Sequence, residues 1–357
     1  MGNAINTEGV APGAKPAPTA KTKEPPAPKY LVTSTPHMRH SVTTRAIMTD
    51  VLIGLAPAAV VAVFLFGINA LLVLAFCIVT CVALEWGWCK FIARKDSTIH
   101  DLSAVVTGVI IAFTVSAEGN PWWLLFVGCG TAIIIIKQLF GGIGHNFLNP
   151  ALVARLMMPG AYAAFFVASG TPQNFIGATP PDVITQATPL ATWAFPGAPV
   201  PTADMYMAAF LGNMPGSMGE VSAAALLLGG LWLLYRKVIT WHIPVIFIGT
   251  VFVLTFIFGG LRLEQGLFTG NAGFEILLGG LFLGSIFMAT DYASSPITIK
   301  GKVIYALACG TLTFVIRHYG AFFEGVALAI LVVSLFNPLI DKYTRTKVYG
   351  IEKTKKA

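Results

Sequence analysis

Long apolar runs with few charges dominate this chain and decide what it can fold into. Hydrophobic residues make up 55% of its 357 residues and charged residues only 11%, whereas soluble domains carry about 25% charged residues. Inside lipid, backbone polar groups must be satisfied within the protein, which restricts spanning structures to helices and closed barrels. The runs are about 16 to 20 residues long, as helices that cross a bilayer require. We therefore predict an all-α integral membrane protein.

The hydrophobic windows predict about ten transmembrane helices. Several windows are short for a full crossing, which indicates broken or tilted helices. The predicted spans are, approximately, residues 48–66, 70–92, 102–117, 121–137, 151–168, 221–236, 241–259, 274–290, 303–317 and 321–340.

The distribution of basic residues predicts the orientation of these helices. Lysine and arginine occur in both tails and in alternate connections, while the stretch from Leu156 to Tyr235 contains neither. Cytoplasmic connections of membrane proteins carry an excess of lysine and arginine. Both termini are therefore predicted to be cytoplasmic and the long central loop external. The net charge of +7 is explained by topology, so no nucleic-acid partner is expected.

Two segments at a spacing of 180 residues are similar to each other and predict an internal repeat. CGTAIIIIK begins at Cys129, CGTLTFVIR begins at Cys309, and each ends in an isoleucine followed by a basic residue. Each half holds five predicted spans, and an odd number gives the halves opposite orientations. Inverted repeats are a plan of transporters, whose ion or substrate site lies where the halves meet.

The predicted organisation has five segments. Two five-helix membrane repeats flank a long external loop, and a disordered cytoplasmic tail rich in Pro, Ala and Lys precedes them. The bounds are 1–45 for the N-terminal tail, 46–168 for the first repeat, 169–220 for the external loop, 221–341 for the second repeat and 342–357 for the C-terminal cytoplasmic tail.

The external loop contains an aspartate and two threonines in the stretch PDVITQATPL. Asp182, Thr185 and Thr188 follow one another at intervals of three, and Pro189 disfavours a helical conformation at Thr188. Taken alone, this spacing favours an Asx or Ser/Thr turn that caps a short helix.

The same stretch resembles the flavinylation motif D-x-x-(S/T)-x-A-T of the RnfD/NqrB family, through Asp182, Thr185, Ala187 and Thr188. The segment Gly141 to Ala151 is similar to the family's GG-x-G-x-N-x-x-N-P-A signature. MATD, which ends at Asp291, is similar to the family's ATD motif, although Tyr292 replaces the usual proline. NPLIDKYTR, from Asn337, looks more like the RnfD branch than the NqrB branch. The resemblance covers the whole membrane region.

The resemblance implies a covalent cofactor. In that family the last threonine of the motif carries FMN through a phosphoester bond made by a flavin transferase, so FMN is expected on Thr188. The resemblance leaves open whether the chain also binds a second, noncovalent flavin such as riboflavin. The chain has no Rossmann fingerprint, P-loop or iron–sulfur cysteine cluster, so partners are expected to handle NADH and ferredoxin.

The implied function is that of a membrane subunit of a redox-driven Na⁺ or H⁺ pump, the Rnf ferredoxin:NAD⁺ oxidoreductase of prokaryotic cell (inner) membranes. The chain would not be a complete enzyme alone and supplies no catalytic residue. Expected partners are the other Rnf subunits (A, B, C, E and G) and the flavin transferase. One alternative is an NqrB-type subunit of a sodium-pumping NADH:quinone reductase. Another is a passive channel or carrier, which would have no use for the loop motif.

Two acidic residues near the inner ends of predicted spans are candidates for the ion pathway. Glu85 lies in the second span and Asp291 follows the eighth. Ionisable residues inside spans are costly in lipid and are by default functional candidates. The alternative is that each pairs with a nearby lysine, Glu85 with Lys90 and Asp291 with Lys300.

Three more polar residues have both a functional and a structural interpretation. Arg155, inside the fifth span, could pair with a carboxylate or contact a flavin. Asn146 and Asn149 precede Pro150 and could contact a flavin or cap the fifth span. We predict no metal site, because the cysteines form no CxxC pair and no histidine stands at ligand spacing.

Overall fold

The computed structural model describes residues 42–95, 98–166, 190, 201–220, 222–262, 266–320 and 325–345. Within these ranges the regular elements are helices, with no β-strand. The prediction of an all-helical chain is therefore confirmed for the described part. The motif at 182–188 and the tail up to residue 41 lie outside the described residues.

The helices follow the predicted spans closely but divide some of them. We number the α-helices in chain order: α1 Thr44–Gly87, α2 Ser103–Phe113, α3 Trp122–Gly130, α4 Pro150–Tyr162, α5 Ala203–Leu211, α6 Ala223–Tyr235, α7 His242–Arg262, α8 Ala272–Leu277, α9 Leu281–Leu283, α10 Ile299–Tyr319, α11 Val326–Ser334 and α12 Asn337–Thr344. Short π-helical segments extend α1, α3 and α9, over Trp88–Ala93, Thr131–Gln138 and Gly284–Met288 respectively.

Three helical segments are long and apolar enough to cross a membrane: Thr44–Ala93, His242–Leu261 and Ile299–Tyr319. Helices α11 and α12, bent by 55° at a short break, make a fourth candidate if they form one span. Shorter apolar helices fill other predicted spans. These helices are those of a membrane protein, while the count of ten and the inverted repeat stay predictions.

Several predicted boundaries differ from the described helices by a few residues, and two of the differences have a clear cause. Helix α1 begins at Thr44, inside the predicted tail 1–45, because the Thr43 side chain accepts a hydrogen bond from the backbone N–H of Ala46 and caps the helix. The third predicted span, 102–117, ends as a helix at Phe113. Beyond it the backbone pairs with a distant segment, since Gly219 N–H donates to the Phe113 carbonyl at 2.9 Å.

Helix α1 is a hairpin of two helices that reverses at Gly67. The backbone at Gly67 has φ 69° and ψ −155°, a region that is essentially limited to glycine. A continuous helix would place Ile47 about 57 Å from Glu85 at 1.5 Å rise per residue. Instead, Lys137 contacts Glu85 at 2.6 Å and lines the same cavity as Ile47. The first two predicted spans are therefore adjacent helices.

Helices from the two halves of the chain pack through glycine. A Cβ on Gly229 of α6 would lie 1.9 Å from the Gly54 carbonyl oxygen of α1, so this approach requires glycine. Small residues permit such close contact between transmembrane helices. Near the same crossing, Arg236 Nε contacts Asp50 Oδ1 at 3.1 Å. These contacts join the first and second halves of the sequence.

We expect Gly67→Ala to lower the free energy of unfolding by about 1–3 kcal/mol, the usual cost of a strained backbone conformation for a residue with a Cβ. No neighbouring atom lies within 4 Å of a Cβ at this position, so the effect comes from the backbone alone. Thermal unfolding in detergent, followed by circular dichroism, measures it.

Gly249→Ala is the matched control, because Gly249 also faces open space but lies inside α7 with helical geometry. Alanine is favoured over glycine there by up to about 1 kcal/mol. Equal changes in the free energy of unfolding for Gly67→Ala and Gly249→Ala would contradict a chain reversal at Gly67.

Candidate functional site

A cavity lies where the first and second halves of the chain meet. Its volume is about 810 Å³, including the part that opens to solvent. Apolar walls come from α1, α2, α6 and the π-helical segment before Asp291. The polar residues that line it are Ser103, Thr107, Lys137, Asn146, Asn149, Thr290, Asp291 and Tyr292.

A glycine-rich turn brings both candidate asparagines to this cavity. Gly141, Gly142 and Gly144 have φ of 113°, 95° and 84°, a left-handed region that residues with a Cβ rarely adopt. The turn places Asn146 and Asn149 in the cavity wall.

Asn149 also has two structural roles. Its side-chain oxygen accepts a hydrogen bond from the Ala151 N–H at 3.0 Å, so it caps α4. Its amide nitrogen donates to the Met288 carbonyl at 3.3 Å. Asn146 donates locally, to the Leu148 carbonyl at 3.0 Å. The capping interpretation therefore holds for Asn149, which additionally ties the two halves together beside the cavity.

Asp291 lines the same cavity from the second half. Its carboxylate accepts a hydrogen bond from the Ser294 hydroxyl at 2.9 Å. Burial raises the pKa of the Asp291 carboxyl above its ordinary value, against the opposing effect of Ser294 and nearby backbone N–H groups. The alternative of a pair with Lys300 was wrong: among the described residues Asp291 has no ion pair, and Lys300 is exposed.

Glu85 lies in a buried ion pair rather than at the cavity wall. Lys137 Nζ is 2.6 Å from Glu85 Oε2, with the two side chains 4% and 0% exposed. Thr98 donates to the other carboxylate oxygen at 2.5 Å, and Lys137 also donates to the Ser103 hydroxyl at 2.7 Å. Both oxygens of Glu85 are thus occupied and its charge is neutralised.

The alternative of a Glu85–Lys90 pair was wrong. Lys90 is exposed and its ammonium lies 4.7 Å above the Trp86 ring instead. In the sequence, Lys137 was only the basic residue that ends the repeated segment from Cys129, and its place in the cavity wall was not predicted. The position of Lys137 at the end of an isoleucine run could have indicated a buried ion pair, because a buried lysine needs a carboxylate partner.

Arg155 lies outside the set of residues that line the cavity. Its guanidinium is 5.0 Å from the centre of the Phe166 ring, and the residue is buried within α4. The loop residues Asp182, Thr185, Ala187 and Thr188 lie outside the described residues.

We expect either Glu85→Leu or Lys137→Met to lower the free energy of unfolding by about 3–5 kcal/mol, because each leaves a buried charge without its partner. The double variant is expected to recover most of that loss, since apolar residues of similar volume replace a buried pair at little cost. Thermal unfolding of the wild type, the two single variants and the double variant in detergent gives the coupling free energy between Glu85 and Lys137.

The more exposed pair of Asp50 and Arg236 provides the control, since the Arg236 side chain is 49% exposed. Arg236→Gln should cost about 1 kcal/mol or less. If the double variant lost as much free energy of unfolding as Glu85→Leu and Lys137→Met lose together, the two residues would not be a coupled buried pair.

Comparison with known proteins shows which family the sequence matches and which proteins it is similar to. The family model described as NQR2, RnfD, RnfE matches residues 31–350. The D subunit of the Na⁺-translocating ferredoxin:NAD⁺ oxidoreductase complex of Acetobacterium woodii is 40% identical over 327 residues, 91% of this chain and 96% of that protein. The D subunit of the proton-translocating ferredoxin:NAD⁺ oxidoreductase complex of Clostridium ljungdahlii is 39% identical over 333 residues, 90% and 96% of the two chains. The D subunit of an ion-translocating oxidoreductase complex of Halorhodospira halophila is 35% identical over 339 residues, 88% and 94%.

Proposed function

The chain belongs to the NQR2, RnfD, RnfE family, and we propose that it is the D subunit of an ion-translocating ferredoxin:NAD⁺ oxidoreductase complex. The observation that carries this proposal is the similarity to the D subunits of such complexes along nearly the whole length of both chains. The chain is a subunit of a membrane oxidoreductase and translocase that works with the other Rnf subunits. These relatives favour the Rnf assignment over the quinone-reducing alternative and over a passive carrier.

Covalent FMN on Thr188 is the redox element of this proposal. Asp182, Thr185 and Ala187 complete the motif that resembles the family's flavinylation sequence. A flavin exchanges electrons in pairs or singly, and the protein sets its position and environment. A flavin transferase would install the phosphoester bond.

The cavity suits a second flavin that is held without a covalent bond. Its apolar walls match a flat ring system, and its amide and hydroxyl groups suit the polar edge and the ribityl chain of a flavin. Asn146, Asn149 and Asp291 would supply the polar contacts. Of the described lining residues, Lys137 is the basic one, and Glu85 neutralises it. The cavity therefore favours an uncharged flavin such as riboflavin over FMN.

The proposed topology has ten helices in two inverted five-helix repeats, with both termini cytoplasmic and the Thr188 loop external, in the prokaryotic cell (inner) membrane. The hairpin at Gly67 and a cavity at the junction of the two halves support it, because sites of inverted-repeat transport folds lie at that junction. Asp291 is the stronger candidate for the Na⁺ or H⁺ pathway, since it lines the cavity while Glu85 is neutralised.

We expect Thr188→Val to abolish flavin fluorescence of the denatured chain in a gel, because valine has no hydroxyl to form the phosphoester. The protein is made in a host that contains the flavin transferase. Thr171→Val, in the same loop, is the control and should keep the fluorescence of the wild type. A wild-type band without fluorescence, from a host whose transferase is active on another substrate, would overturn the covalent flavin.

We expect Thr107→Phe to remove the noncovalent flavin and leave the covalent FMN in place, because the larger side chain fills the cavity that Thr107 lines. Acid extraction separates the two pools, and chromatography of the extract identifies riboflavin. Leu307→Phe is the control, since Leu307 is 45% exposed on the surface of α10. An unchanged riboflavin content in Thr107→Phe would place that flavin elsewhere.

A further inference from the structure

Four polar side chains form a continuous hydrogen-bonded chain that ends at the cavity wall. The Thr98 hydroxyl donates to Glu85 Oε1 at 2.5 Å, and Glu85 Oε2 accepts from Lys137 Nζ at 2.6 Å. Lys137 Nζ also donates to the Ser103 hydroxyl at 2.7 Å. These distances are those of well-formed hydrogen bonds. We call the side chains of Thr98, Glu85, Lys137 and Ser103 the polar chain.

The two ends of the polar chain lie in different surroundings. Lys137 and Ser103 line the cavity, whereas Glu85 and Thr98 are not among its lining residues. The Glu85 side chain is 0% exposed. Thr98 is partly exposed and lies in the connection between α1 and α2. The polar chain therefore runs from a partly exposed hydroxyl, through a buried carboxylate, to the wall of the cavity.

Lys137 is suited to pass a proton to whatever occupies the cavity. An ammonium carries three N–H donors, and the bonds to Glu85 and Ser103 use two of them. The third N–H is available to a ligand, because Lys137 lines the cavity. Lysine and glutamate are both side chains that donate and accept protons when a partner lies within hydrogen-bond reach.

We propose that the polar chain carries protons from solvent to a redox ligand in the cavity. This proposal rests on the proposed function, in which the cavity holds a noncovalent flavin. A flavin that is reduced by one-electron carriers takes up protons that those carriers do not bring. A ligand that fills the cavity also displaces its water, whereas the polar chain reaches Lys137 from the side of Glu85. Proton supply to the ligand is separate from the pumped ion, for which Asp291 stays the candidate.

Each step moves one proton along an existing hydrogen bond and returns the residues to their starting state. Lys137 gives a proton from Nζ to the ligand and becomes a neutral amine. Thr98 receives a proton from solvent while its own hydroxyl proton moves to Glu85 Oε1. Rotation of the carboxyl group about a torsion that is broad and roughly two-fold then presents this proton to Lys137. The electrons come from the redox partner that reduces the ligand.

Thr98 is the residue at which this role separates from a structural one. Its side chain does not cap the short helix that follows it. Among the described residues its hydroxyl contacts Glu85 and, at 3.7 Å, the Cys89 thiol. Thr98→Val keeps the shape of the side chain and leaves the pair of Glu85 and Lys137 in place, but it removes the entry to the polar chain. Thr98→Ser keeps the hydroxyl and is the conservative variant.

Thr131→Val is the matched control. Thr131 is also partly exposed, and its hydroxyl donates to the Val127 carbonyl at 2.9 Å, within its own helical segment. Thr131 is not among the residues that line the cavity. The control therefore loses the same group from a similar environment without touching the polar chain.

The test uses the full-length chain, made in a host without the flavin transferase and loaded with riboflavin, so that riboflavin is the only flavin present. Fluorescence titration first measures riboflavin binding. Reduced methyl viologen, a one-electron donor that carries no proton, then reduces the bound riboflavin in a stopped-flow instrument. Flavin absorbance follows the reduction, and a pH-indicator dye in weak buffer follows proton uptake.

We expect Thr98→Val to bind riboflavin as the wild type does but to take up protons about 100-fold more slowly, a usual contribution of a positioned proton-transfer group. Thr98→Ser and Thr131→Val should take up protons at the wild-type rate. If Thr98→Val fails to fold, Thr98→Ala gives the same comparison, because it also lacks the hydroxyl and adds no bulk.

The outcomes separate this role from the proposed function. Wild-type proton uptake in Thr98→Val, with riboflavin bound and reduced, would overturn the proton relay and leave the proposed function standing. Equally slow uptake in Thr131→Val would also overturn the relay, because that variant leaves the polar chain intact. A wild-type chain that binds no riboflavin would overturn the noncovalent flavin of the proposed function and the relay with it.

Discussion

Within lipid a helix can break only where other protein groups satisfy the backbone that the break exposes, and the described fold depends on this constraint. The Phe113 carbonyl, where α2 ends, accepts from the Gly219 N–H. The Met288 carbonyl accepts from Asn149, which lies in the first half of the chain. Arg317 donates to the last carbonyls of α8. Each break is thereby tied to a segment that is distant in the sequence.

These ties explain why the candidate sites lie beside the breaks. Asn149 joins the two halves and also lines the cavity with Asp291. Arg317 donates to the Leu278 carbonyl just after α8, beside the buried side chain of Leu190. A donor that closes a helix break must be polar, fixed and buried, and those properties also suit a group that holds a ligand. Structural and functional requirements therefore fall on the same few residues.

Burial governs the charged groups in the same way. Glu85 and Lys137 share a site with almost no access to solvent, where either charge alone would be costly. Their pairing leaves Asp291 as the acidic residue that lines the cavity. It also gives the cavity little net positive charge. The relatives named for Na⁺ and for protons are almost equally similar to this chain, at 40% and 39% identity, so overall identity does not select the ion.

The sequence by itself determined the features that depend on local composition and spacing. Apolar runs of spanning length require helices because each helix satisfies its own backbone. Asn149 before Pro150 indicated a helix cap as one of its two interpretations. The family motif around Thr188 is likewise a local pattern. Only the tertiary structure decided which distant groups meet: the partner of Glu85 is Lys137 and not the nearby Lys90, and Arg317 reaches carbonyls about forty residues away. Contacts between residues three or four apart follow from the geometry of one helix, whereas the contacts of Glu85 and Arg317 depend on how different helices pack.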